Sequence, residues 1–110
     1  MSIPGLPLEA SQKILAELRR QPQPQLEQVV LYGSRAMGRQ RSGSDVELCL
    51  LAPEMTLADL LELGARLDDL LLPWRIDLQL DHLIAHPGLR DHIKRVGLVL
   101  WSVNPEAPKG

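Results

Sequence analysis

The chain has 110 residues and a mass of 12.3 kDa, which fits one domain and leaves no room for two. At 45% hydrophobic and 24% charged it is globular in composition, which excludes whole-chain disorder. A net charge of −2, with one Tyr and two Trp, excludes a basic, base-stacking polynucleotide surface, and the single cysteine, Cys49, excludes a disulfide framework or a cysteine zinc site.

Residues 1–7 carry Pro4, Gly5 and Pro7 and read as a loose lead-in without the form of a signal peptide. Leu8 to Arg20 places Leu8, Ser11, Leu15 and Leu18 at helical spacing, with Ile14 beside them, and predicts an amphipathic helix that Gln21–Gln25 breaks. Val29–Tyr32 is a short β-rich run ended by Gly33 and predicts a buried strand. A polar, basic stretch from Ser34 to Ser44 follows, then a second apolar strand over Val46–Leu51, in which Cys49 reads as an inert core residue. Thr56 to Leu72 predicts a helix with Leu57, Leu60, Leu61, Gly64, Leu67 and Leu71 along one face. Thr56 and Asp59 form a capping box at its start, and Pro73 stops it. Trp74–Leu80 is a third strand.

Pro87–Val96 predicts a helix with Leu89, Ile93 and Val96 inward, His92 on the polar side and Gly97 as its cap. Leu98–Val103 is a fourth strand, and Asn104–Gly110 a polar, proline-containing tail. The expected organisation is one domain over residues 1–103 with a flexible tail over 104–110, in the cytoplasm, with no membrane association. The period of the apolar residues does not fix the strand order. His82 and His86 stand four apart, but no glutamate follows His82 and Pro87 follows His86 directly, so they do not read as a zinc pair.

One segment carries chemistry. Gly33 and Ser34 directly follow a buried strand, where glycine lets the backbone approach a ligand and free N–H groups at the start of a turn can hold an anion. Arg35, Arg39 and Arg41 add positive charge, of which Arg39 and Arg41 read as solvated loop charges. Asp45 and Glu47 then stand two apart at the head of a strand and therefore share a face. Asp77, between Ile76 and Leu78, points away from both. Were its strand the neighbour, Asp45, Glu47 and Asp77 could meet around one or two hard divalent ions, which prefer oxygen ligands. A phosphate-holding loop beside such a site implies phosphoryl-group chemistry.

Gly33-Ser34, then Gly38, then Ser44-Asp45-x-Glu47, with Asp77 on a later strand, resembles the polymerase-β-type nucleotidyltransferase superfamily in its minimal, single-domain form. The resemblance runs from about Val29 to Trp101. It implies an α/β (α+β) nucleotidyltransferase fold: a small mixed sheet of about four strands with helices mainly on one face. It assigns Gly33, Ser34, Arg35 and Ser44 to the nucleotide. Asp45, Glu47 and Asp77 become the catalytic, metal-binding carboxylates, with Mg²⁺ as cofactor and Mn²⁺ as the alternative. The activity implied is transfer of a nucleoside monophosphate, AMP from ATP, to an acceptor hydroxyl, with release of pyrophosphate. Minimal relatives are commonly half of a two-component system with a four-helix HEPN-type protein, in some cases a toxin that the transferase silences. A chain this small leaves little surface to hold an acceptor, so the platform is expected from such a partner or from self-association. Glu47 departs from the family's aspartate by one methylene. The rival reading is a non-catalytic nucleotide- and metal-binding module that masks a helical partner.

Overall fold

The computed structural model describes residues 2–20 and 26–103. The expected break at Gln21–Gln25 and the expected tail at Asn104–Gly110 lie outside the described residues. Among these the elements run α1 (Leu8–Leu18), β1 (Gln28–Tyr32), β2 (Val46–Leu51), α2 (Leu57–Asp68), β3 (Ile76–Leu80), a 3₁₀ turn (Asp81–Leu83), α3 (Pro87–Val96) and β4 (Leu98–Ser102).

The four strands form one mixed sheet in the order β3-β2-β1-β4. β1 is antiparallel to both β2 and β4, while β2 and β3 are parallel. Parallel neighbours need a crossover, and α2 supplies it. Alternation along the strands then separates two faces. Val29, Leu31, Val46, Leu48 and Leu50 join the larger core, against which α1 places Ile14 and Leu18 and α2 places Leu63 and Leu67. Val30, Tyr32 and Cys49 point the other way and meet Ile84 and Ile93 under α3. Two helices thus cover one face and the shorter α3 part of the other, leaving room there for polar residues. No helix among the described residues is long and apolar enough to cross a membrane.

Three sequence expectations change. The lead-in is anchored: Ile3 and Leu6 are buried in the larger core, and the Ile3 N–H donates to the buried Ser11 hydroxyl (2.9 Å). The inward stripe of α2 is Leu60, Leu63 and Leu67, whereas Leu57 and Leu61 are more than half exposed. Leucines around most of the circumference leave the period ambiguous, and docking over β3 and α1 decides which row turns in. The same helix ends at Asp68, before Pro73, and Leu71 beyond it adopts a left-handed φ of 54° and is 88% exposed, so it does not continue the inward stripe. Its start is as expected: Thr56 Oγ1 accepts from the Asp59 N–H (3.2 Å), and the Asp59 carboxylate accepts from the Thr56 N–H (2.9 Å).

Candidate active site

The loop after β1 closes into a helical turn. The Ala36 and Met37 N–H groups donate to the Gly33 carbonyl (3.1 and 3.2 Å), and the Arg39 N–H donates to the Ser34 carbonyl (2.9 Å). Gly33 enters this turn at a φ of +77°, in the left-handed region that glycine occupies without steric cost. A Cβ there would land on the Glu47 carboxylate. Glycine is therefore required twice over, by its φ and by the close approach of a carboxylate to its backbone. Ser34 follows, half-buried.

The far end of the loop is pinned. Arg35, an expected nucleotide ligand, is 1% exposed and points into the protein. Its Nη1 donates to the Pro4 carbonyl (2.8 Å), and its Nε and Nη2 donate to the Ser44 carbonyl (3.2 and 2.7 Å). The guanidinium thus ties the lead-in to the residue before Asp45 instead of facing the open side of the loop. Burial lowers its pKa from the ordinary arginine range, and the Asp45 charge opposes that. The Ser44 hydroxyl is also engaged, accepting from the Arg41 N–H (2.8 Å), and Trp74 Nε1–H donates to the Ser42 carbonyl (3.1 Å). Arg39 and Arg41 are exposed, as expected of loop charges.

The carboxylates lie on the face that α3 only partly covers. Glu47 and Asp77 are direct register partners on the parallel strands β2 and β3, about 4.8 Å apart in the sheet. Asp45 is exposed just before β2. Among the described residues none of the three is in an ion pair. Burial pushes the Glu47 carboxyl above its ordinary pKa, and the charges of Asp77 and Asp45 push it further, against an opposing pull from His92. All three donors are carboxylates, the oxygen chemistry that suits a hard divalent ion. Their side chains are not gathered at one point, however. Among the described residues no three His, Cys, Asp or Glu side chains are placed to hold a metal ion together, and the Glu47 carboxylate lies against Gly33.

Two further residues complete this face. The Gly33 N–H donates to His92 Nε2 (3.2 Å), which joins α3 to the turn. The His92 ring meets Tyr32 edge-on, with centroids 6.2 Å apart and planes at 82°. Burial raises the Tyr32 phenol far above its ordinary range, helped by Asp77 and Glu47. The expectation that His92 lies on the polar side of its helix is not met. The signal against that was present, since His92 lies between Leu89, Ile93 and Val96 on the helical face that turns inward. His92→Ala is expected to lower stability by about 1 kcal/mol, the net worth of one such hydrogen bond. Thermal melting checks this, and the Gly33 amide resonance should shift in the same variant. His82 is exposed in the 3₁₀ turn, and His86 caps α3, its Nδ1 accepting from the Leu89 N–H (3.2 Å).

A turn of Gly33 and Ser34 facing a carboxylate pair on neighbouring strands is matched across most of the chain by one family model, polymerase beta nucleotidyltransferase, over residues 12–106. The chain belongs to the polymerase-β nucleotidyltransferase family. Solved structures similar to this nucleotidyltransferase include MNT antitoxins in complex with HEPN toxins. A toxin–antitoxin with AMP-PNP is 28% identical, over 83% of this chain and 72% of the other, with a TM-score of 0.67. A mutant MntA–HpeT toxin–antitoxin complex is also 28% identical, over 83% and 72%, with a TM-score of 0.68. A Shewanella oneidensis complex of a tri-AMPylated HEPN toxin with an MNT antitoxin is 24% identical, over 86% and 71%, with a TM-score of 0.65, and shares the fold. No curated protein matches this nucleotidyltransferase.

Proposed function

We propose that this nucleotidyltransferase, with residues 1–103 as its folded unit, moves AMP from ATP to a hydroxyl on a helical partner protein in the cytoplasm. The observation that carries this reading is the direct register of Glu47 with Asp77 on neighbouring strands, beside the Gly33-Ser34 turn. It is supported by the 28%-identical toxin–antitoxin structure that contains AMP-PNP. In the reaction the acceptor oxygen bonds to the α-phosphorus, the bond to the bridging oxygen breaks, and pyrophosphate leaves. Gly33, lacking a side chain, lets the triphosphate approach the turn, and Ser34 takes it through its N–H and its hydroxyl. Arg35 acts indirectly, by holding the Ser44 carbonyl and hence the strand entry at Asp45. Asp77 receives the proton that the acceptor hydroxyl gives up. Asp45, Glu47 and Asp77 would hold Mg²⁺, or Mn²⁺, which when bound neutralises the carboxylates and the triphosphate and favours attack at phosphorus.

The position of Glu47 favours a second reading. Its carboxylate lies against Gly33 and not among two other ligands, as expected of a module that binds nucleotide and masks a partner without turnover. One experiment separates the two. Co-expressed protein and neighbouring-gene product are incubated with α-labelled ATP and either Mg²⁺ or Mn²⁺. Transfer is expected to be faster in Mn²⁺, which tolerates the geometry of the longer glutamate better. Glu47→Asp, which withdraws the carboxylate from Gly33, is expected to raise the Mg²⁺ rate, and Glu47→Gln to remove most of it. No label on any acceptor from any of the three proteins would establish the masking module.

A further inference from the structure

A pocket of roughly 350 Å³ opens on the same face of the sheet as the carboxylates, but at the other end of β1 and β2. Its lining includes none of Gly33, Ser34, Asp45, Glu47 or Asp77. The Gln28–Leu51 register pair lies at this end and the Tyr32–Glu47 pair at the other, four residues or roughly 13 Å along the strand. The volume is at the low end of the range for small-molecule sites, about 300–1,000 Å³.

Its walls are apolar. Val30 and Cys49 form the sheet side, with Ile84 and Ile93 across from them. Two polar groups break this lining, and both are unengaged. Gln28 is 94% buried, by its 6% exposure, yet its side-chain amide has no hydrogen-bond partner among the described residues. That amide lines the pocket, so a ligand seated there can hydrogen-bond to it as donor or acceptor. Lys94, on the α3 side, forms no ion pair among the described residues. The remaining charges at the rim satisfy each other. Arg90 pairs with the Asp81 carboxylate (3.6 Å) and donates to the Asp81 and Ile84 carbonyls (2.6 and 3.2 Å).

We propose that this pocket binds a small organic carboxylate, with its apolar body between Val30, Cys49, Ile84 and Ile93, its charge on Lys94 and a polar edge on Gln28. Carboxylate fits better than phosphate. Phosphate recognition draws on an arginine fork or several converging donors. Here the arginine is committed to Asp81, and one ammonium offers a single point charge. The site is separate from the proposed transfer chemistry and does not depend on it.

The test is a two-dimensional NMR titration of the ¹⁵N-labelled full chain with octanoate, with 1-octanol as the uncharged comparison. Octanoate is expected to shift the Val30, Cys49, Ile84 and Ile93 amides saturably, and octanol to bind at least tenfold more weakly. Lys94→Glu is expected to weaken octanoate at least tenfold. Gln28→Leu, which keeps the volume but removes the amide, should weaken it severalfold, provided its spectrum keeps the parent's dispersion. Asp45→Asn is expected to bind octanoate like the parent whether or not it transfers nucleotide. Non-saturating shifts, equal binding of octanol, parent-like binding by Lys94→Glu, or shifts centred on Gly33 and Glu47 would each overturn the proposal.

Discussion

Gly33→Ala is expected to lower the melting temperature by about 10 °C and to reduce ATP binding at least tenfold. The first part follows from two costs at one atom. A residue with a Cβ at a φ of +77° costs about 1–2 kcal/mol in the left-handed region. The same Cβ would land on the Glu47 carboxylate, so that side chain or the turn must move. For a domain of this size each kcal/mol is worth about 4–8 °C. The loss of binding follows from the turn, whose backbone donors lose their arrangement once Gly33 shifts. Gly33→Val should be worse, and Ser34→Ala milder, because only one hydroxyl is lost. A double variant separates the two costs: adding Glu47→Asp draws the carboxylate back from the new methyl and should restore part of the stability, leaving the cost of φ. Thermal melts and ATP titrations on the parent and the four variants check this. A Gly33→Ala protein as stable as the parent would contradict the close approach of Glu47.

Asp77→Asn is expected to reduce transfer by about 10²–10³-fold, the scale seen when one charge-handling group is removed from a preorganised site. It should nonetheless make the unliganded chain more stable at neutral pH. Glu47 is held above its ordinary pKa by burial and by its neighbours, so the folded state binds its proton more readily than the unfolded state. For a raised acid, stability falls as pH rises from the unfolded pKa through the folded one, and the full penalty is present above both. Removing the Asp77 charge lowers the folded pKa of Glu47 and narrows that window. Urea midpoints measured between pH 4 and pH 8 should therefore fall less steeply with rising pH in Asp77→Asn than in the parent, and in Glu47→Gln the Glu47 share of the slope should be absent. Asp45→Asn should act in the same direction on stability and abolish transfer. A parent midpoint independent of pH in this range would count against the mutual repulsion.

The strands and the capping box of α2 were legible because each rests on local chemistry: a short β-rich apolar run, or two residues three apart that satisfy each other's backbone N–H groups. The carboxylates were legible for the same reason. Asp45 and Glu47 share a face by counting, and Asp77 lies between Ile76 and Leu78 and so faces away from both. What the sequence left open was pairing, since nothing local says that β3 joins β2 and not β4, and it is that choice which puts Asp77 opposite Glu47. Arg35 shows the reverse limit. A basic residue beside a Gly-Ser pair reads as a phosphate ligand, while its actual partners, the carbonyls of Pro4 and Ser44, depend on how the lead-in folds back. That lead-in is itself held by Ile3 and Leu6, two apolar residues spaced among prolines where no period exists to reveal them. His92 was readable in principle from its place among the inward residues of α3, but its polarity argued the other way.

The central place of β1 has a consequence for the order in which the protein is made. Gln28 pairs with Leu51 on one side and with Ser102 on the other. Synthesis runs from the N-terminus, and local units generally fold as they appear. A chain that has reached the end of β3 already contains α1, α2 and most of the larger core, with Glu47 and Asp77 able to take their register. β4 does not yet exist. During that interval β1 carries an open row of backbone N–H and C=O groups along its apolar sequence, the kind of edge that pairs with whatever strand arrives. β4, the last strand among the described residues, thus covers the open side of β1 and becomes the sheet edge in its place. A chain truncated before Leu98 would keep the carboxylate pair and present the wholly buried β1, in place of the partly exposed β4, as the edge open to its own copies.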